Sequence, residues 1–292
     1  MIDSLPYFAG LIDAEGHFGV SKSKYAAKDG ERTYKSPRLQ IAMTDEDIIR
    51  FFAKSLGINN VWINTKRGKE NYKPLFGCGK MGSGAIEIAE KLWPWLGNNK
   101  RSQIEKVIEE CCLDVSLPSE SPIRNDEWLA GILDGEGWFM AIERTNGRTK
   151  TLYGCPICEC QMATLEDMRD IADLMGVETL STVPPKKDGW LVQYRAMARG
   201  TKALSVMKRI RPYVGKRRGE KIDALFTQFS EWHPRQKLTN DKVMSIYQRA
   251  WAGEQGTKLA EEFGISSGNV SDIKNGNQHR KITGQQPIRI YQ

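Results

Sequence analysis

The 292-residue sequence predicts an α+β fold: two pseudo-symmetric αββαββα units in tandem, followed by a small all-α domain. Three observations predict it. A short apolar segment closing on an acid and a glycine occurs twice. Two further segments recur in the same order behind each copy. The residues after the second copy have no counterpart upstream and carry helix signals without strand signals.

The first copy reads YFAGLIDAEGHFG (7–19) and the second WLAGILDGEGWF (128–139). Aligning Gly10 with Gly131 also aligns Asp13 with Asp134, Glu15 with Glu136 and Phe18 with Phe139. MTDEDIIRFFAKSLG (43–57) is answered by MATLEDMRDIADLMG (162–176), and WPWLGNNKRSQIE (93–105) by RPYVGKRRGEKID (211–223). Matched segments in one order define an internal duplication of about 110 residues. The stretch 113–127, LDVSLPSESPIRNDE, has the Pro, Ser and charge content of a linker. The units are therefore 1–112 and 128–230. A second linker covers 231–238, the helical domain 239–283 and a tail 284–292.

Within each unit the duplicated segment has 3.6-residue periodicity and a glycine at its end, so it is a helix stopped at Gly16 or Gly137. Two strand-like runs follow: HFGVSKSKY and RTYKSPRLQIAM in the first unit, WFMAIERT and YGCPICECQM in the second. Acid-rich starts then open amphipathic helices at 45–56 and 164–175. Strands are expected at 60–66 and 72–79, and at 179–184 and 189–197, before one terminal helix per unit.

Lys and Arg number 43 against 36 Asp and Glu, for a net charge of +7. A basic balance favours polyanionic partners, because neutralised phosphates release condensed counterions. No apolar run approaches the roughly 18 residues that span a bilayer, and no basic segment precedes the apolar patch at the start, so no signal peptide is expected. The six cysteines are expected to be reduced thiols of an intracellular protein. Cys155, Cys158 and Cys160 resemble half a zinc site, but nothing completes it. Leu39 and Ile41 align with Cys158 and Cys160, which places these thiols in a buried strand.

Gly10 and Ala14, like Gly131 and Gly135, are four apart and share one helix face. Glycine costs a helix about 1 kcal/mol relative to alanine, so close backbone contact must require it. Each helix is the natural partner of its own copy. A parallel pair would bring Glu15 and Glu136 together at its end, where two carboxylates repel each other and the local dipole until cations join them. Hard oxygen ligands of this kind favour Mg²⁺. Asp13 and Asp134 point elsewhere and are expected to act as caps.

FAGLIDAEG (8–16) and LAGILDGEG (129–137) resemble the two motifs of single-chain LAGLIDADG homing endonucleases. The duplicated unit resembles that family over about 7–228. The resemblance implies a saddle of antiparallel sheets over double-stranded DNA and a monomer cutting both strands of a long, pseudo-palindromic or asymmetric site. It also implies an intron-encoded enzyme using two or three Mg²⁺ ions to leave 3′ overhangs. Glu15 and Glu136 would bind these ions with the carbonyls of Ala14 and Gly135; the family more often has Asp there. Lys100 and Arg218, aligned through Pro94 and Pro212, would stabilise charge at the scissile phosphates, with Arg101 and Arg217 as competitors. Met43 and Met162 fall where the family often carries a water-positioning polar group, so that component is unassigned.

On the sheets, Lys22, Lys24, Arg32, Lys35, Arg38 and Gln40 of the first unit are candidate DNA contacts. Arg144, Arg148 and Lys150, with Glu143 and Glu159, are the candidates of the second, and Arg217 joins them from its loop. In the last domain, TKLAEEFG-ISSGNVSDIKNG resembles a helix-turn-helix. Leu259 and Ala260 are packed inward, Gly264 lies in the turn, and Ser267–Lys274 form the recognition helix. Ser266, Ser267, Asn269, Ser271 and Lys274 would face DNA. Residues 233–292 hold nine Lys and Arg against five Asp and Glu, which suits an added DNA-binding module.

Three histidines, His17, His233 and His279, leave no paired arrangement for a ββα-metal nuclease. The rival readings keep the fold and drop the cutting: a non-cleaving DNA-binding regulator, or a maturase acting on RNA. The paired acids favour cleavage. Intracellular placement, in cytoplasm, nucleoid or organelle matrix, is expected throughout.

Overall fold

The computed structural model describes residues 4–27, 30–65, 73–145, 152–185, 187–230 and 238–284. The chain divides into two compact units, 1–230 and 231–292.

The first unit is built around α1 (Leu5–Glu15) and α5 (Asp126–Glu136). Their starts are set by Ser4 and Asn125, whose side-chain oxygens accept the backbone N–H of Tyr7 (3.3 Å) and Trp128 (2.8 Å). Behind α1 come β1 (Gly16–Ala27), β2 (Gly30–Met43), α2 (Glu46–Ser55), β3 (Val61–Asn64), β4 (Leu75–Met81), α3 (Ser83–Leu92) and α4 (Asn98–Glu110). Behind α5 come β5 (Gly137–Thr145), β6 (Leu152–Met162), α6 (Leu165–Met175), β7 (Ser181–Val183), β8 (Gln193–Arg199), α7 (Thr201–Ile210) and α8 (Lys216–Gln228). The sheets are antiparallel with the same order, β1-β2-β4-β3 and β5-β6-β8-β7.

Each repeat is thus αββαββαα, which corrects the expectation of one terminal helix. The extra helices follow Gly82 and Gly200, whose φ angles of 65° and 62° only glycine adopts freely. Both then show helical apolar spacing: Ala85, Ile86, Ala89 and Leu92, and Ala203, Val206, Met207 and Ile210, are all buried. The strands are also shorter than the 60–66 and 179–184 windows, and β4 and β8 run two residues beyond 79 and 197.

Gly16 and Gly137 end the two helices as expected, with extended φ angles of −80° and −78°. A Cβ at Gly16 would come within 2.8 Å of Ile12 Cα, and one at Gly137 within 2.7 Å of Leu133 Cα. Glycine is needed for a tight helix-to-strand passage, not for positive φ.

The core lies between the sheets and helices, with Phe8, Leu11, Ile12, Leu39, Ile41, Leu129, Ile132 and Leu133 all buried. Cys158 and Cys160 occupy the places of Leu39 and Ile41, and burial holds both thiols well above their ordinary pKa. The 113–125 segment carries no helix or strand and is held by Trp93 Nε1 donating to Pro118 O (2.7 Å) and Ile123 N to Pro94 O (2.8 Å).

In the second unit α9 (Asn240–Trp251), α10 (Gly256–Glu262), α11 (Ser267–Lys274) and α12 (Arg280–Thr283) enclose Val243, Ile246, Leu259, Val270 and Ile273. The turn between α10 and α11 contains Gly264 at φ 64°. Ser266 caps α11 by accepting Asn269 N–H at 3.2 Å.

Candidate active site and nucleic-acid interface

Small residues fix the site's geometry. Gly10 faces Trp128 and Ile132, Gly131 faces Tyr7 and Leu11, and Gly135 faces Ala14 and Glu15. These contacts advance together along both helices, so α1 and α5 run parallel. Glu15 and Glu136 end them side by side. Burial, then the neighbouring Glu136, raises the Glu15 pKa against the pull of Arg218. Burial likewise raises Glu136.

The other two motif acids perform a task that sequence indicated only as capping. Asp13 accepts the backbone N–H of Gly97 at 2.9 Å and the indole N–H of Trp128 at 2.8 Å. Asp134 accepts the N–H of Gly215 at 2.7 Å and the hydroxyl of Tyr7 at 2.7 Å. Gly97 and Gly215 are the N-caps of α4 and α8. Each Asp therefore anchors its own repeat's last helix and reaches across to an aromatic of the other repeat. Desolvation pushes both carboxyls up to about 7.

These caps carry the basic residues. Lys100 and Arg218 stand at equivalent places in the first turns of α4 and α8, where a helix dipole disfavours cations. Acids offset that: Asp47 accepts Lys216 N–H at 2.9 Å, and Glu166 accepts from Asn98 at 3.3 Å. Lys100, 8% exposed, donates to Gly16 O at 2.6 Å. Arg218 approaches the carbonyls of Asp134 (3.4 Å) and Gly135 (3.3 Å) and lies over Phe139. Burial lowers the pKa of both. Their competitors are engaged elsewhere: Arg101 donates to Trp93 O (2.8 Å) and Glu120 O. Arg217 makes two bonds to Asp45 (2.5 and 2.7 Å), tying the repeats together. Tyr7, Trp128 and Asp45 are site residues that sequence did not single out; the aromatic before each motif's small residues was the available signal.

The donor set fits a hard divalent ion. Gly135 leaves room beside Glu15, since a Cβ there would stand 2.9 Å from Glu15 Cγ. Among the described residues no three His, Cys, Asp or Glu side chains converge, and Mg²⁺ is commonly held by one or two carboxylates with water and substrate phosphate oxygens. A cleft of about 750 Å³ lies beside it, lined by Glu136, Trp138, Arg218 and Lys221.

Residues 8–74 match the family described as LAGLIDADG endonuclease. The described fold also matches solved structures. The meganuclease I-SmaMI bound to an uncleaved DNA target in the presence of calcium ions shares 17% identity at a TM-score of 0.51, over 78% of this chain and 92% of that one. The LAGLIDADG meganuclease I-AabMI bound to uncleaved DNA shares 14% at 0.52, over 78% and 90%. The first repeat is thus similar to the LAGLIDADG endonuclease family, and the fold is that of the LAGLIDADG meganucleases. A comparison with curated protein sequences gave no match. At these identities the solved structures share the LAGLIDADG fold with this chain, and residue roles rest on its own geometry.

Register sorts the candidate DNA contacts of the two sheets. Residues opposite each other in antiparallel strands share a face. Arg38 and Gln40 share one face with His17 and Met81, away from buried Phe18 and Leu39, and Arg38 donates to Gln40 at 2.6 Å. Arg32, opposite Tyr25, has the same parity. Lys22 and Lys35 do not: they oppose each other in the parity of Phe18 and Leu39 and both pair with Glu110 of α4 (2.9 and 3.5 Å). Lys24 shares that parity and pairs with Glu31 at 2.7 Å. These three candidate contacts therefore share the face of Phe18 and Leu39, opposite that of Arg38 and Gln40. Arg144 stands opposite Tyr153 in β5–β6; Arg148 and Lys150 lie outside the described residues. Glu159 has open-face parity yet is 8% exposed, bonded by Gln161 at 2.5 Å. Arg195 and Arg199, opposite Gln161 and Ile157, are open-face cations that sequence did not single out.

Met43 is buried and opposes Phe76, and Met162 opposes Tyr194. One residue earlier, Ala42 and Gln161 are equivalent, and only the second is polar. In the second unit Ser267 and Ser271 are exposed and Asn269 is half-buried. Lys274 lies over Trp251, 5.6 Å from the ring centre.

Proposed function

We propose that this protein is a site-specific endonuclease that hydrolyses one phosphodiester in each strand of a DNA duplex with Mg²⁺, leaving 3′ overhangs. The observation that carries the reading is the convergence of Glu15 and Glu136 at the end of a tightly packed parallel helix pair, with Lys100 and Arg218 delivered at equivalent places beside them.

Glu15 and Glu136, with the carbonyls of Ala14 and Gly135, would hold the divalent ions. The bound ions supply a more acidic water and neutralise charge on the phosphate and its leaving oxygen. Lys100 and Arg218 stabilise negative charge developing on the scissile phosphates, in surroundings that already desolvate them. Asp13 and Asp134 keep α4 and α8 in place so that these cations stay aimed at the pair. Arg38, Gln40 and Arg32, with Arg195 and Arg199, line the sheet faces that would rest on DNA. The second unit, with Ser267, Asn269, Ser271 and Lys274 on or beside its third helix, extends that contact. Such an enzyme would act as a monomer, and an intron is the expected setting for its gene.

The test is a screen of the full chain against a randomised duplex library in Mg²⁺. A single recurring cut site, with no cutting in a chelator, is expected. A recurring bound site that is never cut would favour a non-cleaving regulator and overturn the nuclease reading.

A further inference from the structure

The duplication allows the two sheet faces to be compared position by position. On the open face of the first sheet, three successive cross-strand pairs are His17–Gln40, Gly19–Arg38 and Ser21–Ser36. Gly16 is equivalent to Gly137, so the matching pairs of the second sheet are Trp138–Glu159, Met140–Ile157 and Ile142–Cys155. Two polar pairs have become wholly apolar, and an indole that is 62% exposed replaces an imidazole. Met140, Ile142 and Cys155 are half-buried and Ile157, opposite Met140, is buried. The rim of this apolar field is cationic, with Arg199 opposite Ile157 where the first sheet has Met81 opposite Arg38, and Arg195 opposite Gln161 where it has Gly77 opposite Ala42.

An apolar field that begins two residues from Glu136, on the face proposed to meet DNA, needs an apolar feature in its ligand. The major groove offers one, the C5 methyl of thymine; every other base edge there presents donors and acceptors. We propose that the two sheets read the two halves of the target by different chemistry. The first sheet reads base edges by hydrogen bonds, through Arg38 and Gln40. The second reads thymine methyls through Met140, Ile142 and Trp138, while Arg195 and Arg199 hold phosphates. The target is therefore asymmetric, with a thymine-rich half under the second sheet. RNA, whose uracil lacks the methyl, is the poorer ligand.

This inference rests on the DNA-target reading above, and the experiment separates the two. Sites are enriched from a randomised duplex library by the full chain in Ca²⁺. The half under the first sheet is identified as the one whose selected bases change with Arg38→Ala. Thymidine is then replaced by deoxyuridine in one half at a time and affinity is measured. Burying a methyl is worth about a fourfold change in affinity. The expected result is a loss of about fourfold per contacted thymine in the second half, against less than about twofold in the first. The double variant Met140→Ser/Ile142→Ser, at two half-buried positions, loses the methyl dependence while keeping the fold by circular dichroism. Equal losses in both halves, no loss in the second, or equal binding of the RNA duplex would overturn the inference. Failure to enrich any site would overturn the DNA-target reading itself.

Discussion

Replacing Gly10 by alanine should do more damage than any surface change of that size. A methyl carbon there would sit 2.0 Å from the Trp128 carbonyl oxygen and 3.1 Å from Ile132 N, both backbone atoms of the partner helix. Relief to normal contact requires α1 and α5 to part by about 1 Å, and such overpacking costs roughly 1–3 kcal/mol or more. Alanine returns about 1 kcal/mol of helix propensity. Because no side chain can rotate away, the upper end applies and about 2 kcal/mol of net loss remains. For a unit of this size that lowers the melting temperature by roughly 4–8 °C. The control is Gly268→Ala, on exposed α11, where the nearest atom is Ser266 Oγ at 3.8 Å. There the same change should stabilise, by up to about 1 kcal/mol. Differential scanning calorimetry of the full chain reads both. An unshifted melting transition for Gly10→Ala would refute the close helix contact.

Other expectations follow from the same geometry. Lys100→Ala or Arg218→Ala should slow cleavage by about 10²–10³-fold, while gel-shift affinity in Ca²⁺ changes little; unaltered single-turnover rates would remove them from the chemistry. Asp13 and Asp134 have folded-state carboxyls near 7 against an ordinary 3.8. Between about pH 4 and 7 the folded protein therefore holds protons that the unfolded chain has released, so stability falls as pH rises through that window and levels off above it. Urea denaturation at pH 5 and pH 8 should show the fall, reduced in Asp13→Asn and Asp134→Asn; a rise in the parent protein would contradict the burial. Removing residues 231–292 should weaken DNA binding and shorten the footprint, and an unaltered footprint would leave that unit without a role in the contact.

Much of this molecule was legible because duplication doubles every signal. Glu15 and Glu136 stood out as acids at equivalent places, and Gly10 and Gly131 as glycines that only close packing explains. Lys100 and Arg218 came from aligned prolines and were separated from Arg101 and Arg217 only by their hydrogen bonds. What stayed hidden depended on partners distant in sequence. Nothing local says that Asp13 meets Trp128 or that Asp134 meets Tyr7, since each bond crosses between repeats. The lysines of the first hairpin show a different failure. Lys22 is four residues from Phe18 and shares its parity, a period-2 fact readable in sequence. The strand pair runs on past the apolar core to Glu110, so a charged residue stands on the inner face there. The contrast between the two open faces likewise required register, which the strand sequences alone do not supply.

The central claim, that Glu15 and Glu136 hold the ions that cut DNA, is tested most directly by strand-resolved cleavage of an enriched site in Mg²⁺. Parent protein, Glu15→Gln and Glu136→Gln are compared at equal occupancy, set by gel shift in Ca²⁺. Each glutamine keeps the shape of the side chain and removes its charge. The predicted result is loss of double-strand cutting in both variants with binding retained. Undiminished cutting of both strands by either variant would contradict the claim.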